Sequence, residues 1–104
     1  MISARFHGDR GFEVKGHANF AEYGEDIVCA AVSSAVYFAA NTITDVLHAE
    51  AEVNVSDSGK LSLRLTKAEP TAEKIITGLR LHLANLAGQF PDRIRIIYGG
   101  NNNA

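Results

Sequence analysis

Apolar and polar residues alternate at the beginning of the chain. Ile2, Ala4 and Phe6 fall on one side of a two-residue period, and Phe12 and Val14 resume it after the turn sequence GDRG. The same period returns in AEVNVS and KLSLRL around the turn DSG, and in DRIRIIYG near the end of the chain. These patterns predict two hairpins and a further strand. The second hairpin offers one apolar side, formed by Val53, Val55, Leu61, Leu63 and Leu65.

Two longer segments follow the period of a helix instead. The first runs to about His48 from Asp26, whose carboxylate suits an N-cap because it accepts unpaired amide protons of a first helical turn. The second begins at Pro70 and runs to about Gln89, with Gly88 near its end. The predicted inward residues are Val28, Val32, Ala35, Ala39, Ile43 and Val46 in the first helix and Ile75, Ile76, Leu79, Leu83 and Leu86 in the second.

The predicted order of elements is ββαββαβ, which is typical of an α+β fold. We expect a two-layer sandwich in which two helices cover one face of a mainly antiparallel sheet. A length of 104 residues suits a single domain, 1–104, with a modest core. Residues 18–25 fit neither period, and we predict a loop there, bounded by Gly16 and Gly24.

Charge and cysteine content narrow the classes of function. Ten basic and twelve acidic residues give a net charge of −2, and no basic stretch is long enough to hold a phosphate backbone, so we predict no nucleic acid partner. One cysteine rules out an internal disulfide or a multi-cysteine zinc site. We expect no leader peptide and no apolar run long enough to cross a membrane. The prediction is a cytoplasmic protein without metal, cofactor or membrane partner.

The only cysteine, Cys29, lies beside the apolar stripe of the first predicted helix, where a cleft can reach it. In a first helical turn, free amides and the macrodipole favour thiolate, but by only about 0.3 to 1 kcal/mol, which is less than one pKa unit. A cationic partner is therefore needed, and His17, after the second strand, is the candidate. Asp26 would orient it, and the amides of Cys29 and Ala30 would stabilise an oxyanion.

Each of these residues also has a simpler interpretation. Cys29 can be a small buried hydrophobic residue, Asp26 only an N-cap, and His17 a surface residue. Phe20 and Tyr23 can anchor the loop or line a peptide cleft. Spacing alone therefore predicts a candidate site without a substrate.

Two motifs resemble a known signature. GHA at 16–18 and YGEDIVCAAVS at 23–33 are similar to the paired motifs of the ribosomal-processing cysteine protease family, Prp, and a weaker similarity covers nearly the whole chain. The resemblance implies an α+β fold and a homodimer. It further implies that Cys29 is the nucleophile, His17 the general base and Asp26 a supporting acidic residue. Ser33 matches a family position, either in the substrate site or in a structural role.

The resemblance also implies a substrate. The family removes an N-terminal extension from a large-subunit ribosomal protein, number twenty-seven, by cutting after paired phenylalanines and before alanine. It further implies that residues 18–25 form a lid. Our hypothesis is that Phe20 and Tyr23 contact aromatic side chains of this ribosomal precursor.

Two other functions remain open at this point. A non-catalytic adaptor could bind a ribosomal protein or an assembly intermediate, with Cys29 in a purely structural role. A thiol-based redox sensor would form a sulfenate at Cys29, although the chain has no second cysteine to resolve it.

Overall fold

The computed structural model describes residues 1–16 and 23–99, and for residues 23–26 it describes the backbone only. The elements are β1 (Ile2–His7), β2 (Gly11–Lys15), α1 (Tyr23–Asn41) with a π-helical extension (Thr42–Val46), β3 (Ala51–Val55), β4 (Leu61–Leu65), α2 (Pro70–Gln89) and β5 (Ile94–Gly99). The predicted order ββαββαβ is confirmed.

All five strands form one sheet in the order β3-β4-β2-β1-β5. The pairings of β1 with β2, β2 with β4 and β3 with β4 are antiparallel, and β5 pairs with β1 in parallel. The sheet is therefore mixed but mainly antiparallel, as predicted.

The two faces of the sheet differ in chemistry because successive side chains point to opposite sides. One face carries buried apolar residues, and they pack with the buried stripes of both helices. The other face is polar and carries the exposed ion pair Arg64 to Glu52, at 2.6 Å, and the pair Lys60 to Glu13, at 3.5 Å. Both helices thus cover the same face. The sheet residues buried beneath them are Ile2, Ala4, Phe6, Phe12, Val14, Leu61, Leu63, Leu65 and Ile94.

The start of α1 differs from the prediction. The helix begins at Tyr23, so Asp26 is its fourth residue and does not occupy the N-cap position. The predicted loop is correspondingly shorter, because residues 23–25 are helical and residues 18–22 lie outside the described residues. This segment contains a glycine, which is a poor helix former, and charged residues that give it no apolar period. Its sequence therefore does not predict a helix.

The end of α1 widens into a π-helix. The hydroxyl of Thr42 donates to the carbonyl of Phe38 at 2.7 Å, and that of Thr44 to the carbonyl of Ala40 at 3.0 Å. Such side-chain bonds compete with the regular helical ladder. The extra residue in a π-turn shifts the helical register, and Val46, predicted to face the core, is exposed.

The segment Ile27–Val46 corrects another expectation. Its mean hydropathy of 1.6 over 20 residues is high enough for a membrane span by length and composition, whereas we expected no such run. In this fold its buried side chains contribute to the core over the sheet, which also accounts for an apolar helix. Those side chains are Val28, Val32, Val36, Ala39, Ala40 and Ile43.

Helix α2 begins with a reciprocal capping arrangement. Glu69, the N-cap residue, accepts a hydrogen bond from the amide of Ala72 at 2.8 Å, and the Glu69 amide donates to the carboxylate of Glu73 at 3.2 Å. Pro70 follows at the first helical position, where its missing N–H costs nothing. This resembles a capping box, with glutamate in place of serine or threonine at the N-cap and with the reciprocal acceptor, Glu73, at the fourth helical position instead of the third.

We predict that Glu69→Ala lowers the free energy of unfolding by about 1 kcal/mol, because it removes the acceptor for one end of this box. Urea denaturation followed by circular dichroism measures the change. Glu50→Ala, at an exposed position before β3, is the control and should stay within about 0.5 kcal/mol of the wild type. Equal loss in both variants would contradict the capping role.

Candidate active site

Cys29 lies further into α1 than the sequence predicted. It is the seventh residue of the helix, in the second turn, and it is partly buried against the hydrophobic core. Inside an α-helix, amides donate to the carbonyl four residues earlier. The amides of Cys29 and Ala30 are therefore engaged in the helix itself, and the prediction that they stabilise an oxyanion is wrong.

This position changes the electrostatics of the thiol. The favourable field of a helix N-terminus falls off within the first turn, so a cysteine in the second turn receives less of it than we expected. More of the stabilisation of a thiolate must then come from a nearby cation. A thiolate at Cys29 would therefore depend on an imidazolium partner more strongly than the sequence suggested.

One flank of α1 carries Cys29. At about 100° per residue, Ser33 and Tyr37 follow it at intervals of four and share that flank. Ser33 is partly buried, and Tyr37 is 43% exposed. The four-residue spacing of Cys29, Ser33 and Tyr37 in the sequence already indicates that Tyr37 shares this flank.

The opposite flank of α1 faces α2. Between the helices lies an apolar groove of about 750 Å³, lined among others by Ala31, Phe38, Ile75 and His82. A smaller concavity of about 480 Å³ lies on the polar face of the sheet near Glu52. Neither concavity is lined by Cys29, which therefore faces a different part of the surface.

The connections fix the direction of α1 relative to the sheet. Only residues 47–50 join its π-helical extension to β3, so the C-terminal part of α1 lies at the end where β3 begins. The N-terminal part, with Cys29, points to the other end. There, β2 finishes, Val14 of β2 pairs with Leu61, and Leu61 pairs with Val55, the last residue of β3.

Gly16 lies at this same end, immediately after β2. Its φ of +90° is in the left-handed region, and a Cβ atom there would collide with the carbonyl oxygen of Met1. The sequence pattern indicates Gly16 only as the boundary of a loop and does not indicate its close contact with the backbone. The structure shows that glycine is required where the chain leaves the sheet, one residue before His17.

The other predicted site residues have the following positions. His17 and Phe20 lie outside the described residues. Tyr23 and Asp26 have helical backbones in the first turn of α1, and their side chains lie outside the described part. The described residues contain no group of three or more His, Cys, Asp or Glu side chains arranged to hold a metal ion.

Comparison with protein families bears directly on this helix. The sequence model of the family described as "Cysteine protease Prp" matches residues 1–95. The chain belongs to the Prp family of cysteine proteases. The ribosomal processing cysteine protease Prp of Bacillus subtilis is 32% identical, over 92% of this chain and 96% of its own length. Its counterpart in Mycoplasma pneumoniae is 40% identical over 76% of this chain and 77% of its own.

Solved structures share the same fold. SMU.848 from Streptococcus mutans superposes with a TM-score of 0.84 at 26% identity, covering 94% of this chain and 93% of that one. Prp from Staphylococcus aureus, in complex with a covalently linked product peptide, has a TM-score of 0.83 at 24% identity, covering 95% and 100%. The α+β fold and the prediction of a cysteine protease are both confirmed for this Prp family member.

We predict that Gly16→Ala lowers the free energy of unfolding by about 1 to 3 kcal/mol, because the new methyl group meets a backbone oxygen at a positive φ. Gly78→Ala, in α2 with open space around it, should instead raise the free energy of unfolding by about 0.5 to 1 kcal/mol. Urea denaturation measures both. A neutral Gly16→Ala would contradict the close approach to Met1.

Proposed function

We propose that Cys29 is the nucleophile of a ribosomal-processing cysteine endopeptidase and that His17 is its general base. The supporting observation is that the chain contains one cysteine and belongs to a cysteine protease family whose sequence model spans residues 1–95. Since nucleophilic catalysis by such an enzyme requires a thiol, no other side chain of this sequence can supply it.

The proposed reaction is acyl transfer. The Cys29 thiolate attacks the scissile carbonyl, and collapse of the tetrahedral intermediate breaks the C–N bond while His17 gives a proton to the departing amine. A thioester remains on Cys29. Water, deprotonated by His17, then attacks the thioester, releases the carboxylic acid product and regenerates the thiolate–imidazolium pair.

Asp26 is proposed to orient His17. A carboxylate commonly fixes the tautomer and direction of a catalytic imidazole. The backbone of α1 removes the competing interpretation of Asp26 as the N-cap residue, because the helix begins three residues earlier. Asp26 also precedes Cys29 by three positions, so both belong to adjacent positions on one side of the helix.

The proposed substrate is the N-terminal extension of large-subunit ribosomal protein twenty-seven, cut after paired phenylalanines. This follows from the resemblance of the two sequence motifs, and it agrees with the name of the relatives from Bacillus subtilis and Mycoplasma pneumoniae, ribosomal processing cysteine protease. The S. aureus protein was crystallised with a substrate peptide and with a covalently linked product peptide. We further propose that the enzyme acts as a homodimer in the cytoplasm, where a lone thiol stays reduced.

We predict that Cys29→Ala loses cleavage of the organism's own ribosomal precursor by at least about a thousandfold, because the nucleophile is gone. His17→Ala should lose a similar factor, since the two side chains act as one unit. Mass spectrometry of the precursor after incubation measures the shortened product.

The control for this experiment is Glu69→Ala, which weakens the α2 cap on another element and should retain cleavage at a temperature where it is folded. Rapid alkylation of Cys29 by iodoacetamide in the wild type, slowed in His17→Ala, would support the thiolate pair. Full cleavage by Cys29→Ala would refute the assignment and favour a binding role for the protein.

We predict that Phe20→Ala and Tyr23→Ala each lower kcat/KM for a peptide spanning the cleavage site about tenfold, if these side chains contact aromatic residues of the substrate. Tyr23 belongs to the first turn of α1, and Phe20 lies outside the described residues. Phe38→Ala, on the flank of α1 that faces α2, is the matched control and should leave kcat/KM unchanged. Unchanged kcat/KM in both Phe20→Ala and Tyr23→Ala would eliminate this assignment.

A further inference from the structure

Strand β3 exposes two apolar side chains on the face of the sheet that the helices cover elsewhere. Val53 pairs with Leu63 and Val55 with Leu61, and directly paired residues point to the same face. Leu61 and Leu63 are 2% and 1% exposed, whereas Val53 and Val55 are 40% and 59% exposed. We call Val53 and Val55 together the β3 shelf. The prediction that both share one apolar side of the hairpin with Leu61, Leu63 and Leu65 is confirmed, and on that side they are the exposed members.

This exposure accompanies the position of β3 at one edge of the sheet. Helix α2 packs against β5 at one edge, and α1 packs beside α2. Side chains on the helix-covered face are exposed at both edge strands, at Val53 and Val55 in β3 and at Tyr98, the partner of Phe6, in β5.

The flank of α1 that carries Cys29 faces this uncovered edge. The residues of α1 that line the groove with α2 are Ala31, Ser34, Ala35, Phe38 and Ala39. On the helical wheel, Cys29, Ser33 and Tyr37 occupy the other side of the sheet-facing stripe. They therefore lie on the side of α1 that is nearer to the half of the sheet containing β3.

The two rows of side chains also run alongside one another. Four residues of helix rise about 6 Å, and two residues of strand about 6.6 Å, so the steps of both rows match. Val55 lies at the end of the sheet towards which Cys29 is directed, and Val53 lies one step further along, in the direction of Tyr37. Together the two rows flank one strip of the surface, with Cys29 and Val55 towards the same end.

We propose that the β3 shelf binds apolar side chains at alternate positions of an extended peptide substrate whose scissile carbonyl lies at Cys29. An extended peptide repeats its side-chain direction every second residue, which is the spacing of Val53 and Val55. This inference rests on the proposed function of Cys29 and adds the surface that selects the substrate. The groove between α1 and α2 cannot serve this purpose, because it lies on the flank away from the cysteine.

The test measures peptide binding separately from cleavage. The probe is a fluorescein-labelled peptide spanning the cleavage site of the organism's own ribosomal protein twenty-seven precursor, and the protein is Cys29→Ala, which binds without turnover. Adding Val53→Thr and Val55→Thr keeps the shape and strand preference of the side chains but replaces methyl groups by hydroxyls. We expect fluorescence anisotropy to show binding weakened about tenfold.

Matched controls isolate the shelf. Leu81→Thr in the Cys29→Ala background removes an exposed apolar side chain from α2 and should leave the affinity unchanged. A second peptide, in which the alternate apolar residues are serine, should bind weakly and show no further loss with the two threonines. In the catalytic enzyme, the shelf variant should raise KM more than it lowers kcat.

The outcomes separate the two proposals. Unchanged affinity in the threonine variant overturns the shelf while leaving the nucleophile assignment intact. A lower mass in analytical ultracentrifugation for the threonine variant would also overturn it, because the shelf would then be a contact between copies. If the wild type fails to cleave the precursor but binding still depends on the shelf, the proposed function fails and the peptide surface stands. Absence of both overturns both.

Discussion

The packing of α1 on the sheet is the constraint on which the site depends. Val28, Val32 and Val36 are buried against the strands and fix the rotation of the helix about its own axis. Once that rotation is set, the direction in which Cys29 leaves the helix is also set, because it is turned by about 100° from Val28. A single apolar stripe therefore both builds the core and turns the thiol towards one flank. Core substitutions in this stripe can affect catalysis without touching the substrate.

Because of the position of Cys29 within the helix, a thiolate there would depend on other residues for most of its stabilisation. A thiol in the first turn would gain from the macrodipole, whereas the second turn lies largely beyond its reach. In the proposed mechanism, the nucleophilicity of Cys29 at neutral pH would then depend mainly on the imidazolium of His17. This makes the exit of the chain from β2 important, because Gly16 sets the backbone direction immediately before His17. The close approach of Gly16 to Met1 links that exit to the first residue of the chain.

Periodicity predicted most of the fold because β1, β2, β4 and α2 each bury one continuous face. It failed at the start of α1, where tertiary packing keeps a glycine and acidic residues helical, and at Val46, where threonine hydroxyls widen the last turn. The flank of Cys29 was predicted correctly, since it depends only on angles between neighbours. The exposure of Val53 and Val55 could not be predicted in the same way, because it depends on how many strands two helices cover.

An uncovered edge strand with apolar side chains favours aggregation, because it offers both unpaired backbone groups and an apolar surface to other chains. Proteins commonly protect such an edge with charge. In β3 the charged and polar residues, Glu52 and Asn54, lie on the opposite face, where Glu52 pairs with Arg64. The helix-side face of β3 is left apolar at Val53 and Val55. A stability requirement alone would favour polar residues at these positions, since little area is buried there. The proposed extended peptide would cover them.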